Sequence, residues 1–286
     1  MGLSFSPLLR RELIRGLLIL SLLHLIFFTL TIGRVHANPV VTPTIQVGSQ
    51  PEAIDVDPTT NTIYVTNAKD NTVSVIDGKN NRVTATIKVG NGPYGVAVNP
   101  RTSRIYVANS GDYTVSVIDG TTRTVITTIT VGKRPRTIAV NSQTNMIYIL
   151  HEDADMISVI DGKTLLVSQT VQTGPNPTGM AINSTTNTVY VANEGNKTIS
   201  VIDGNTNMLT TTLTLAHRPD QVGVNETTNR IYVTNVSEST VSIIDGTTNT
   251  DVGLIEVGHD PSSIAVNATS NIVYISNLID LSLIHI

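Results

Sequence analysis

The chain has 286 residues, 40% of them hydrophobic, and its 14% charged residues, 20 glycines and 12 prolines do not mark it as disordered. It contains no cysteine, which excludes disulfide staples, thiolate metal sites, cysteine nucleophiles and a lipid-bearing cysteine. Its formal charge of −4 argues against a generic binder of nucleic acid or anionic membrane.

The first 37 residues read as a signal peptide. Arg10, Arg11 and Arg15 form a basic region, Leu17 to Ile32 an apolar stretch, and Val35-His36-Ala37 a small-residue cleavage signal. The stretch is shorter than the roughly 20 residues that span a bilayer and is interrupted by Ser21 and His24. Cleavage after Ala37 is therefore expected rather than retention as an anchor, with a secreted, periplasmic or cell-surface product. Loss of four arginines and one glutamate takes the formal charge from −4 to −7.

From residue 38 onward a repeat decides the architecture. Tyr64, Tyr106, Tyr148, Tyr190, Tyr232 and Tyr274 follow one another at intervals of 42 residues. Pro51, Pro93, Pro135, Pro177, Pro219 and Pro261 keep the same interval, as do the I-D-G aspartates Asp77, Asp119, Asp161, Asp203 and Asp245. Each unit divides into four short runs of alternating apolar residues. In the second unit these are Gly95–Val98, Ile105–Ala108, Thr114–Ile118 and Val125–Val131, with turn residues between them. Period-two alternation and abundant β-branched residues predict strands and exclude a helical solenoid. The expected fold is all-β, a β-propeller of four-stranded antiparallel blades.

Tyr64-Val-Thr-Asn67 and Tyr232-Val-Thr-Asn235, with the variants Tyr106-Val-Ala-Asn109, Tyr190-Val-Ala-Asn193 and Tyr274-Ile-Ser-Asn277, resemble the YVTN-type propellers of bacterial and archaeal envelopes, including surface-layer and YncE-like proteins. The resemblance runs over residues 41–280 and implies seven blades. Five full blades and two strands of a sixth are read here, the propeller spanning 38–280. Val41 to Val47 aligns with the fourth strands and is expected to complete the last blade. The six residues 281–286, Leu-Ser-Leu-Ile-His-Ile, break the repeat, resemble the translation of a sequencing adapter and are read as a non-native tail. On this reading the natural C-terminus, with about one more blade, is missing.

Gly90-Asn-Gly92-Pro-Tyr-Gly95 matches a phosphate-cradling glycine pattern, but a strand follows it instead of the required helix, so it reads as an interblade turn. The I-D-G aspartates read as turn caps, because all five blades carry them alike. Variation concentrates in two loop sets, before the prolines and after the YVxN segments, which a propeller presents on one face. The candidate ligand-binding face there comprises Lys133, Arg134, Arg136, His151, Glu152, Asp153, Asp155, His217, Arg218 and His259. His151 and its neighbours offer oxygen and nitrogen donors, but no metal-loop motif accompanies them. His217 and His259 share a column and are candidates to converge at the channel mouth.

The function expected is an exported interaction module for a protein, glycan or small ligand, monomeric at full length, with no cofactor, metal or catalytic set assigned. Two alternatives stand beside it: a propeller enzyme of the lactonase or lyase kind, and the single-stranded DNA binding that YncE-like resemblance implies. An acidic chain without tryptophan is poorly suited to the second.

Overall fold

The computed structural model describes residues 44–286. The signal segment, its cleavage point and Val41 to Pro43 lie outside the described residues. Blade 1 contains β1 (Pro51–Asp57), β2 (Thr62–Asn67), β3 (Thr72–Asp77) and β4 (Arg82–Lys88). Blade 2 contains β5 (Pro93–Asn99), β6 (Arg104–Asn109), β7 (Thr114–Asp119) and β8 (Thr124–Thr130). Blade 3 follows with β9 (Pro135–Asn141), β10 (Met146–His151), β11 (Met156–Asp161) and β12 (Leu166–Gln172). Blade 4 is β13 (Pro177–Asn183), β14 (Thr188–Asn193), β15 (Thr198–Asp203) and β16 (Met208–Thr214). Blade 5 is β17 (Pro219–Asn225), β18 (Arg230–Asn235), β19 (Thr240–Asp245) and β20 (Thr250–Glu256). Blade 6 has β21 (Pro261–Asn267), β22 (Ile272–Asn277) and β23 (Ser282–His285).

Every blade is an antiparallel meander in chain order, and the first strands of successive blades pack against one another. This is a propeller arrangement of six blades, five with four strands and the sixth with three. The expected two-stranded sixth blade is corrected: Ser282–His285, assigned above to a tail, pairs with β22 as its third strand. Ser282 stands in the column of Thr72 and accepts the same bond, from Asn277 Nδ2 at 3.1 Å. What departs from the repeat is the chemistry, since Ile284 replaces the serine found at positions 74, 116, 158, 200 and 242.

The hydrophobic core lies in the seams between blades. Tyr106, Val115, Val117 and Ile129 of blade 2 pack on Ile138, Ile147, Ile149 and Ile160 of blade 3, and the same columns form the other seams. Middle strands are covered on both faces and are mainly apolar, with buried Asn and Ser at set positions, whereas the outer strands are mostly exposed. A bulge between Val75 and Ile76, repeated at Val117/Ile118 and onward, twists each outer strand, a feature that discourages edge pairing. Ile45 and Val47 cover Ile63, Val65 and Ile76 of blade 1 as Ile129 and Val131 cover blade 3, which puts this segment in the place of a neighbouring outer strand.

Two polar devices explain the motif letters. The YVxN asparagines Asn67, Asn109, Asn193, Asn235 and Asn277 are fully buried, and each Nδ2 donates to the residue that opens the next strand, as Asn67 does to Thr72 Oγ1 at 3.0 Å. In blades 1, 2, 4 and 5 the same Nδ2 also reaches the serine two residues on, as Asn67 does to Ser74 Oγ at 3.0 Å. In blades 1, 2, 4 and 6 the glycine before the loop lies against this amide, and a Cβ on Gly48 would lie 2.6 Å from Asn67 Cγ; blade 5 carries Ala216 in that column. At the opposite end, Asn141 Nδ2 donates across the seam to Asn187 Oδ1 at 2.7 Å. Identical staples join Asn99 to Asn145, Asn183 to Asn229 and Asn225 to Asn271. The acceptor asparagines sit at positive φ, 59° at Asn145, a conformation asparagine tolerates better than most residues. The seam between blades 1 and 2 lacks the pair, having Asp57 and Ser103 in those columns.

Candidate functional site

The loop face is built where each inner strand begins. The residue after each proline, still on the inner strand, differs in every blade: Glu52, Tyr94, Arg136, Thr178, Asp220 and Ser262. Inner strands of adjacent blades are neighbours, so residues one repeat apart meet across a seam.

Arg136 shows the result. Its guanidinium lies over the Tyr94 ring, 4.4 Å from the centroid, and donates through Nη2 to Tyr94 Oη at 2.5 Å and through Nη1 to Glu152. Stacking and paired charge hold this long side chain in one posture, and Tyr94, Glu152 and the more distant Glu52 favour its charged form. Arg134, at φ 45°, bonds Asp153 at 2.9 Å and Glu152 at 3.3 Å. Arg134, Arg136, Glu152 and Asp153 therefore form one cluster with Tyr94. The sequence reading omitted Tyr94 from this set, although its position one repeat before Arg136 was the available signal.

The remaining candidates fall into separate pairs. Arg218 reaches back across a seam to Glu194 at 3.4 Å. His217 faces Glu238 at 3.9 Å, and His259 bonds Asp280 at 3.0 Å and stays largely exposed. Each histidine thus engages an acid of its own blade, and the structure does not join them as one site. Asp155, at φ 47°, caps the next loop by accepting from Asn176 N–H at 2.9 Å. Lys133 contributes its backbone carbonyl, as described next. Among the described residues no group of three or more His, Asp or Glu is placed to hold a metal ion.

His151 requires a correction, because it is not part of the exposed face. It replaces the motif asparagine of blade 3 and is fully buried. Its Nδ1 lies 3.0 Å from the Lys133 carbonyl and its Nε2 2.8 Å from Ser158 Oγ. A carbonyl oxygen only accepts, so Nδ1 carries the proton and Nε2 accepts from the Ser158 hydroxyl. A serine bonded to a histidine oriented by a third group is the arrangement of an activated nucleophile, but Ser158 is only 1% exposed. Burial holds the imidazole below the ordinary histidine range.

One further acid, partly buried in a seam, escaped the sequence reading. Asp55 on β1 stands in a column otherwise occupied by Ala97, Ala139, Ala181, Gly223 and Ala265. Its carboxylate accepts from Val98 N–H of the next blade at 2.7 Å and from Val56 N–H at 2.8 Å. Burial pushes its pKa up to about 6 against the pull of those two bonds, and Asp57 adds to the rise. On the opposite face, the I-D-G aspartates cap their turns, Asp119 Oδ1 accepting from Thr121 N–H at 2.8 Å, and those bonds hold Asp77, Asp119, Asp203 and Asp245 below the usual carboxylate range.

No family model matches the sequence, and no curated protein matches it. Among solved structures, hydrazine synthase of Kuenenia stuttgartiensis superposes with a TM-score of 0.58 at 15% identity, covering 89% of this chain and 99% of that one. At that identity the likeness is one of fold alone.

Proposed function

We propose that this chain is an exported propeller of the YVTN type that binds a protein, glycan or small ligand on the face bearing Arg134, Arg136, Glu152, Asp153 and Arg218. The observation that carries this reading is the contrast between the two faces. On one, the repetitive N-x-x-T-N and I-D-G turns are consumed by staples and caps that recur from blade to blade. On the other, a single column holds an acid, an aromatic, a base, two hydroxyls and a second acid. Fold geometry asks nothing of that variation, whereas recognition of an unlike partner does.

Export is part of the proposal and rests on the basic, apolar and small-residue order of the first 37 residues. Recovery of a secreted product beginning at Asn38 is the expected result of N-terminal sequencing; an intact Met1 on the membrane would overturn it.

The binding face is tested with arrays of glycans and peptides and with purified envelope polysaccharide. Combined Arg134→Ala, Arg136→Ala and Arg218→Ala should abolish a binding signal that Arg101→Ala, Arg123→Ala and Lys163→Ala leave intact. Loss of binding only with the second set would show that the functional face is the other one.

A further inference from the structure

In blade 2 the loop before the proline is held to the β6–β7 hairpin by two backbone hydrogen bonds. Ser110 N–H donates to the Gly92 carbonyl at 2.9 Å and Gly111 N–H to the Asn91 carbonyl at 3.0 Å. The same pair recurs in blade 1 from Ala68 and Lys69, in blade 4 from Glu194 and Gly195, and in blade 6 from Leu278 and Ile279. Blade 3 differs. Its first bond, from Glu152 N–H to the Arg134 carbonyl, is stretched to 3.4 Å, and at the Lys133 carbonyl the donor is the imidazole Nδ1 of His151. The loop that carries Arg134 is therefore tied down by a group that takes up a proton, where the loops of blades 1, 2, 4 and 6 are tied by amides that do not.

We propose that His151 is a proton-sensitive tether that positions the Arg134–Arg136 segment of the candidate binding face. The inference rests on the binding reading above for its purpose, but not for its geometry. His151 is fixed from both ends, and a Cβ added to Gly132 would lie 3.0 Å from its Cε1 and 3.1 Å from Met156 Cε, so ring, thioether and loop are in close contact. The charges on the packed elements are Lys133 and Arg134 on the loop and Glu152, Asp153 and Asp155 on the hairpin. Arg134 is matched by Glu152 and Asp153, Asp155 is engaged with Asn176, and none of the five side chains bonds the imidazole. No carboxylate is therefore in place to stabilise a buried imidazolium. Protonation puts a charge where only a carbonyl and a hydroxyl face it, and opening of the Gly132–Pro135 loop to water relieves that charge. Acid thus frees the loop backbone that carries Arg134, next to the strand that carries Arg136.

The test is nuclear magnetic resonance of the whole described chain, with His151→Asn as the comparison, since asparagine is the residue the other five blades carry. In the wild type, the imidazole nitrogens should report Nδ1 protonated and Nε2 bare at neutral pH. As pH falls, the amide shifts of Lys133, Arg134, Glu152 and Asp153 should follow the titration of His151, while Gly111 and Gly195 stay still. In H151N those four amides should no longer titrate together. The vacated Lys133 carbonyl should accept from Asp153 N–H as the equivalent carbonyls do in blades 1, 2, 4 and 6, slowing that amide's exchange roughly fivefold or more. An Nε2–H tautomer, or loop amides indifferent to the His151 titration, would overturn the proposal. Should H151N not fold, the wild-type titration alone decides. No ligand enters any readout, so failure of the binding face and failure of the tether are separate results.

Discussion

Replacing Asp55 by alanine, the residue that blades 2, 3, 4 and 6 carry in its column, isolates the effect of one buried carboxyl on one seam. Its pKa in the folded chain is raised from 3.8 to about 6. Between these values the folded chain holds a proton that the unfolded chain has released, so stability falls as pH rises through the window and levels off above it. Each pKa unit is worth about 1.4 kcal/mol, so the ionised form costs at most about 3 kcal/mol, an upper bound because the carboxyl keeps some contact with water. Asp55→Ala carries no such dependence. The stability of the variant relative to wild type should therefore rise by about 2–3 kcal/mol from pH 4 to pH 7.5. Urea unfolding followed by circular dichroism at half-unit pH steps measures this difference and cancels contributions common to both chains, such as that of His151. A flat difference, or one rising toward acid, would refute the assignment of Asp55 as a carboxyl kept partly protonated by burial.

Three further outcomes follow from the polar devices. Asn141→Ala removes both the seam staple to Asn187 and the turn caps to Gln143 and Thr144, and should cost about 2 kcal/mol in denaturant unfolding. Asn267→Ala removes the caps to Thr269 and Ser270 and should cost about 1 kcal/mol less, since no staple from Asn267 is formed among the described residues. His151→Ala should destabilise by about 2–3 kcal/mol by leaving the Lys133 carbonyl and Ser158 hydroxyl without their partner, whereas Arg134→Ala stays within about 0.5 kcal/mol. Equal effects of the last two would contradict the burial of His151.

The repeat made the fold legible because its period of 42 residues carries both the strand alternation and the turn chemistry. The strand count of the sixth blade was less legible. Ser282–His285 shows that a strand's pairing is fixed by backbone register even when its side chains depart from the motif. The error at His151 has a different cause. A histidine amid Glu152, Asp153 and Asp155 reads as a polar loop, yet strand β10 ends on that residue and its column is the buried one. Columns, rather than local polarity, decide burial in a propeller, and by column His151 is an asparagine substitute.

The same column logic explains why the face assembles across blades instead of within them. Side chains one repeat apart meet at a seam: Arg136 with Tyr94, the Thr178 hydroxyl with the Asp220 carbonyl at 2.9 Å, Ser184 N–H with Glu226 at 2.8 Å. A sequence read along the chain sees these residues as distant, and a blade examined alone sees them as unpartnered. Where neighbouring blades carry the same residue, as with Asn141 and Asn183, the seam contact is a staple that repeats and holds the arrangement together. Where neighbouring blades differ, as with Glu52, Tyr94 and Arg136, it becomes a run of acid, aromatic and base that occurs once. A partner able to tell blade 3 from its neighbours has to read such a run, because the positions held constant are already spent on one another. On the proposed binding reading the discriminating contacts fall at the starts of the inner strands, with Tyr94 beside Arg136 in the same cluster.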